Sequence, residues 1–151
     1  TASAGTWRSV YRGGAGRHHL RPLLLSREPV LTRRAMHRYF RDTGAAGVDV
    51  VLLALADHPP DSSLAEARDT ADAALARTAE TLLEAWFEGQ AEIVAPPLLL
   101  SGGELVRQFG LTPGPQIGQL QRDLQEAQAA GEVTTTEQAR AWVCKHLPRP
   151  S

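Results

Sequence analysis

Apolar residues recur along most of the chain at the three-and-four spacing of an amphipathic helix, not at the alternation of a strand. Between Thr32 and Asp42, Ala35, Met36, Tyr39 and Phe40 fall on one side, while Arg33, Arg34, Arg38 and Arg41, with His37, fall largely on the other. This predicts a helix with one buried face, closed by Gly44. Val48 to Ala56 is apolar almost throughout. With no polar face it reads as a central core helix buried on most sides, stopped by Asp57, His58 and the Pro59-Pro60 pair. Ser63 followed by Glu66 has capping-box spacing and opens a long helix to Phe87, with Leu64, Ala71, Leu75, Leu82, Leu83 and Trp86 facing inward. Gly89 ends it.

Pro96-Pro97 then forces an extended connection into Leu98, Leu99 and Leu100. Ser101 and Glu104 repeat the capping box for a short helix to Phe109, closed by Gly110. Pro115 opens a helix that carries Ile117, Leu120, Leu124 and Ala127 toward Gly131. Thr134 with Glu137 forms a third capping box, leading Ala139, Trp142 and Val143 into a last helix that frays near Pro148. Ahead of all this, Gly13-Gly14-Ala15-Gly16 interrupts a short helix at Trp7 to Tyr11. The fold class is all-α: a helical bundle in two lobes, with about six or seven helices. The division falls between a body over residues 1–92 and a tail over 98–147. No internal repeat or low-complexity tract interrupts the pattern.

With 151 residues, 42% of them apolar, the chain can bury roughly 68 to 70% of its unfolded surface and needs no staple to fold. Cys144 is the only cysteine, which excludes a disulfide framework and suits a reducing compartment, so a cytoplasmic location is expected. Beside Trp142 and Val143, Cys144 reads as a small buried hydrophobe. The longest apolar run, Val50 to Ala56, is far below the roughly 18 residues of a membrane span. Arginines scattered among glycines in the first thirty residues do not make a signal peptide. The chain opens at Thr1 and its only methionine is Met36, which reads as a piece of a longer protein.

Charge changes the picture more than composition does. Residues 1–44 carry nine arginines against Glu28 and Asp42, a net of +7, while residues 45–151 carry seven basic and fifteen acidic residues, a net of -8. A basic segment of this strength can hold a polyanion such as nucleic acid. Fifteen arginines against one lysine suit bidentate phosphate contacts, and equally suit ion pairs or a GC-rich genome. For the face of Arg33, Arg34, Arg38 and Arg41, with Arg8, Arg12, Arg17 and Arg21 nearby in sequence, RNA contact and a solvated or ion-paired surface weigh evenly.

Other candidate chemistry is thin. In Leu111 to Gly118, Pro115 suits a first helical position and Gly118 leaves room for another backbone or a phosphate, but two prolines remove amide donors that a phosphate cradle needs. A rigid helix start outweighs the cradle. His18, His19 and Asp57 are the residues that could join a metal or acid-base site. A metal centre needs three or four converging ligands, so hydrogen-bonding or surface histidines are favoured. No Walker loop, nucleophile elbow, HExxH or paired-aspartate pattern is present. The reading gives no catalytic residue and no metal ligand.

Several strings together resemble the C-terminal half of the bacterial tRNA nucleotidyltransferase/poly(A) polymerase family, of the type with an HD-like domain. They are His19-Leu20-Arg21-Pro22, Tyr39-Phe40-Arg41-Asp42-Thr43-Gly44, Gly47-Val48-Asp49 and Leu53-Ala54-Leu55-Ala56-Asp57. The tail strings are more specific: Leu99-Leu100-Ser101-Gly102-Gly103-Glu104-Leu105, Gly110 to Gly118, and Ala127 to Thr135 with its Gly131-Glu132-Val133-Thr134 turn. The resemblance implies a helical body and tail that grip RNA, with tRNA as the expected partner. It implies also a separate N-terminal catalytic head that adds nucleotides by two-metal chemistry, using Mg and a nucleoside triphosphate, and no cofactor for this chain. The HD-like strings lack the family's earlier histidines and leave only His18, His19 and Asp57, so the chain by itself is expected to be inactive. The function expected is therefore that of an RNA-binding, substrate-positioning fragment in RNA 3′-end processing. Arg21, Arg33, Arg34, Arg38 and Arg41 are its phosphate contacts. The alternatives are a remnant HD-type metal-dependent phosphohydrolase, or a non-catalytic interaction module whose opposite charges pair across chains or lobes.

Overall fold

A computed structural model of the chain describes residues 18, 20–57 and 65–147, with the backbone alone over 65–70. The elements are α1 (Arg21–Leu25), α2 (Arg33–Thr43), α3 (Ala46–Asp57), α4 (Ala65–Phe87), a π-helical turn (Gln90–Val94), α5 (Gly102–Phe109), α6 (Pro115–Ala129) and α7 (Thr136–His146). No strand occurs among the described residues, and the fold is all-α. The helix expected at Trp7 to Tyr11, the Ser63–Glu66 cap, Leu64 and the residues around Pro59-Pro60 lie outside the described residues.

Two hydrophobic clusters organise the chain. The first joins Met36, Tyr39 and Phe40 of α2, Val51 of α3, Ala79, Leu82 and Ala85 of α4, and Val94 of the π turn. Thr32 starts α2 by accepting the Ala35 amide at 3.2 Å, and Gly44 ends it at φ 58°. The Tyr39 ring meets Phe40 edge-on at 5.0 Å, and its buried hydroxyl donates to the Gly47 carbonyl at 2.8 Å. Gly47 is needed here. A Cβ on it would strike the Thr43 hydroxyl and crowd the Tyr39 and Phe40 rings at 3.1 Å, so α3 crosses α2 at a separation that only glycine allows.

Burial on α3 is narrower than its apolar sequence predicts. Gly47, Val50, Val51 and Ala54 are buried, whereas Leu52 is 51% exposed and Ala56 is exposed. The helix packs on α1, α2 and α4, and only one stripe of it is covered. On α4, Leu75 and Leu82 are buried as expected, but Ala71 is exposed, and Thr78, Ala79 and Ala85 take inward positions instead.

The second cluster joins Leu100, Leu105, Ile117, Leu124, Ala127, Val133, Ala139 and Val143. Its first cap is as the sequence predicts: the Ser101 hydroxyl accepts the Glu104 amide at 3.3 Å while the Glu104 carboxylate takes the Ser101 amide at 2.8 Å. The last cap sits one residue later than predicted. Thr135, not Thr134, accepts the Gln138 amide, and the Gln138 side chain reaches back to the Thr134 amide. The Gln138 side chain thus bonds the residue before the N-cap, so this helix has a side-chain cap without the reciprocal box formed by Ser101 and Glu104. Cys144 is exposed, because α7 buries Ala139 and Val143 and Cys144 falls one residue past that stripe. Close approach also occurs elsewhere than predicted. A Cβ on Gly102 would lie 3.3 Å from the Ile117 side chain, while one on Gly118 would meet only the Arg122 side chain at an ordinary 3.6 Å.

The segment between the clusters has no regular secondary structure at Pro96-Pro97 and is anchored on α6. Gln125 donates to the Pro96 carbonyl and Gln128 to the Pro97 carbonyl, each at 2.7 Å, and the Gln128 amide oxygen accepts the Leu99 amide at 3.4 Å. The end of α6 is a Schellman motif: the Glu132 amide returns to the Ala127 carbonyl and the Gly131 amide to the Gln128 carbonyl, with Gly131 at φ 80°. That turn places Glu132 against α2.

Candidate nucleic-acid interface

The exposed side of α2 does not face open solvent along its length; it faces α6 and the Schellman turn beside the second hydrophobic cluster. The arginine spacing of three and four residues sets the guanidiniums in a row. Arg38 Nη2 lies 2.5 Å from Glu126 Oε1, Arg34 Nε 3.5 Å from the same oxygen, and Arg41 Nη1 3.3 Å from Glu126 Oε2. Arg34 also reaches Glu132 at 2.7 Å, and Arg41 its neighbour Asp42 at 3.1 Å. Arg33 pairs with Glu92 at 3.0 Å, on the π turn. Arg21 pairs with Asp42 at 2.9 Å and stands over the Tyr39 ring, 5.8 Å from its centre.

All five arginines named from the sequence are thus brought to one region, and each has a carboxylate partner. Five guanidiniums meet Asp42, Glu92, Glu126 and Glu132, so the face carries a net +1 where the arginines alone would carry +5. Glu126 is the pivot, with its side chain only 12% exposed. The hydrogen bond from Arg38 holds its carboxyl below the usual carboxylate range; burial opposes that, and the charges of Arg38, Arg34 and Arg41 add to it. Asp42 is also held low. Burial pushes it up, but the hydrogen bonds from Arg21 and Arg41 outweigh that.

Each guanidinium has five N–H donors, and the pairs occupy one or two of them. The Arg38 and Arg33 side chains remain 53% and 43% exposed. Donors on this face are therefore still open to an anion from solvent. Sequence reasoning missed the partners, because Glu126 and Glu132 lie 85 to 98 residues from the arginines they meet. The signal that existed was the opposite charge of the two parts of the chain.

His37 is a correction. The sequence pattern sets it with the arginines, yet it is 2% exposed, with Nδ1 2.9 Å from the Ile93 carbonyl and Nε2 buried without a partner. The π turn packs over α2 at this point and covers it. For the metal alternative, His19 lies outside the described residues, His18 is half-buried, and Asp57 is exposed at the end of α3. No group of three or more His, Cys, Asp or Glu side chains that could hold a metal ion occurs among the described residues. No helix among them is long and apolar enough to cross a membrane.

Comparison with known proteins supports the resemblance over part of the chain. The chain is 57% identical over 49 residues, 32% of its length, to the A-adding tRNA nucleotidyltransferase of Deinococcus radiodurans. It is 45% identical over 56 residues, 34% of its length, to the CC-adding tRNA nucleotidyltransferase of Thermus thermophilus. The matches span 11% and 13% of those two proteins. No family model matches the chain. No solved structure matches it either.

Proposed function

We propose that this chain is an RNA-holding, substrate-positioning helical region of a tRNA nucleotidyltransferase/poly(A) polymerase-type protein, acting in RNA 3′-end processing in the cytoplasm. The observation that carries the reading is the 57% identity over 49 residues to an A-adding tRNA nucleotidyltransferase. In this reading nucleotide transfer, with Mg and a nucleoside triphosphate, belongs to a catalytic head outside these helices, and the chain itself needs no cofactor. RNA, chiefly tRNA, is the partner. Its phosphates meet Arg21, Arg33, Arg34, Arg38 and Arg41 through the N–H donors that the ion pairs leave open.

One observation favours a second reading. Because every one of the five arginines pairs with a carboxylate, and Glu92, Glu126 and Glu132 lie beyond α4, the same residues suit a purely structural seam with RNA bound elsewhere or not at all. A titration of the chain with tRNA at low and at physiological salt, with a single-stranded oligonucleotide as competitor, separates the two. The RNA-holding reading expects preferential tRNA binding with a steep salt dependence. Absence of binding at low salt leaves the seam alone.

A further inference from the structure

Three guanidiniums from one helix converge on one carboxylate of α6, which is the arrangement of an anion site already filled. We infer that Arg34, Arg38 and Arg41 form such a site, that Glu126 is its resident occupant in the free chain, and that an RNA phosphate takes the place of Glu126 when RNA binds. The inference rests on the RNA-holding reading above and adds a residue that sets how strongly the face binds.

The chemistry of the exchange is close to like for like. A carboxylate and a phosphodiester each carry a single negative charge shared over two oxygens, and both accept paired N–H donors from arginine. Glu126 is the carboxylate shared by all three guanidiniums, while Glu132 and Asp42 each oppose one of them, so the filled cluster is close to neutral and gains positive charge as Glu126 leaves. The arms also stay in place once Glu126 leaves. Arg34 keeps Glu132 at 2.7 Å and Arg41 keeps Asp42 at 3.1 Å. Among the described residues Arg38 pairs with Glu126 alone, and Arg38 is the most exposed of the three. A phosphate arriving from solvent therefore meets Arg38 first and finds the flanking guanidiniums held by Glu132 and Asp42. Glu126 sits in the last turn of α6 beside the Schellman turn, and its own backbone stays fixed by α6 packing while its side chain swings out.

The consequence is that Glu126 competes with RNA, and removing its charge strengthens binding although it removes ion pairs. The test is a tRNA titration of the full chain and its Glu126→Gln variant, with helix content and melting temperature recorded for both. The expected result is about three- to tenfold tighter tRNA binding by the variant at low salt, because the same phosphate site no longer has to be vacated by a competing carboxylate. Glu132→Gln, which leaves Arg38 with its partner, should change affinity less. If the chain binds tRNA and folded Glu126→Gln binds equally or more weakly, Glu126 is only a clamp and the inference is overturned while the RNA-holding reading stands. If neither form binds tRNA at low salt, both fall. Should Glu126→Gln fail to fold, Glu126→Asp keeps the charge but withdraws it by one methylene. It is expected to shift affinity in the same direction by about twofold, and no gain there also overturns the inference.

Discussion

Replacing Gln128 by Leu isolates the hydrogen bonds that fix the segment between the two hydrophobic clusters. Gln128 is 9% exposed on α6, and its amide spans two backbone groups of the connecting segment, donating to Pro97 at 2.7 Å and accepting from Leu99 at 3.4 Å. Leucine has similar bulk and no polar atoms, so the change removes both bonds without opening a cavity. An unsatisfied carbonyl costs about 1 to 3 kcal/mol when fully buried. Pro97 is exposed enough for water to compensate in part, and the bond to Leu99 is long. The loss is therefore about 1 to 2 kcal/mol. For a chain of this size that lowers the melting temperature by about 3 to 6 °C, read by far-UV circular dichroism. Gln128→Glu should cost more, because it sets a buried carboxylate against the Pro97 carbonyl. Gln125→Ala, which loses the single bond to Pro96, should cost less. A Gln128→Leu protein as stable as the original would refute the idea that this amide anchors the connection.

Acidification offers a second check. The folded-state values of Asp42 and Glu126 are lowered, so their stabilisation is complete above the unfolded carboxylate range, about 3.9 to 4.3, and is lost as the pH falls through the lowered values. The urea midpoint should drop between neutral pH and pH about 3 by more in the original chain than in an Asp42→Asn/Glu126→Gln variant; equal drops would show that the seam adds nothing. Gly47→Ala is expected to cost about 1 to 3 kcal/mol through overpacking against Thr43, Tyr39 and Phe40. A neutral result in a urea titration would mean that α2 and α3 can move apart freely.

The helices were legible where local chemistry decides them. The Ser101–Glu104 cap, Gly44, Pro115 and Gly131 all act within a turn or two of their own position, and the structure places them as the sequence implies. Features set by distant neighbours were not legible. The one-sided burial of α3 depends on which helices reach it, and His37 is buried because a π turn 56 residues away packs over α2. Cys144 and Thr135 show a smaller effect, in which one residue of helical phase separates buried from exposed or capping from flanking. For the candidate interface, the row of arginines was visible in the spacing of α2. Its pairing was visible only as a division of charge between two parts of the chain, since no local rule connects Arg38 with Glu126.

The most direct measurement is the salt dependence of tRNA binding for the original chain and for an Arg33→Gln/Arg38→Gln variant, the two most exposed arginines of the face. The account predicts weaker binding by the variant and a slope of log K against log salt reduced by about 1 for each arginine removed. A folded variant with the original slope would contradict it and leave these arginines as a seam between α2 and the helices of the second cluster.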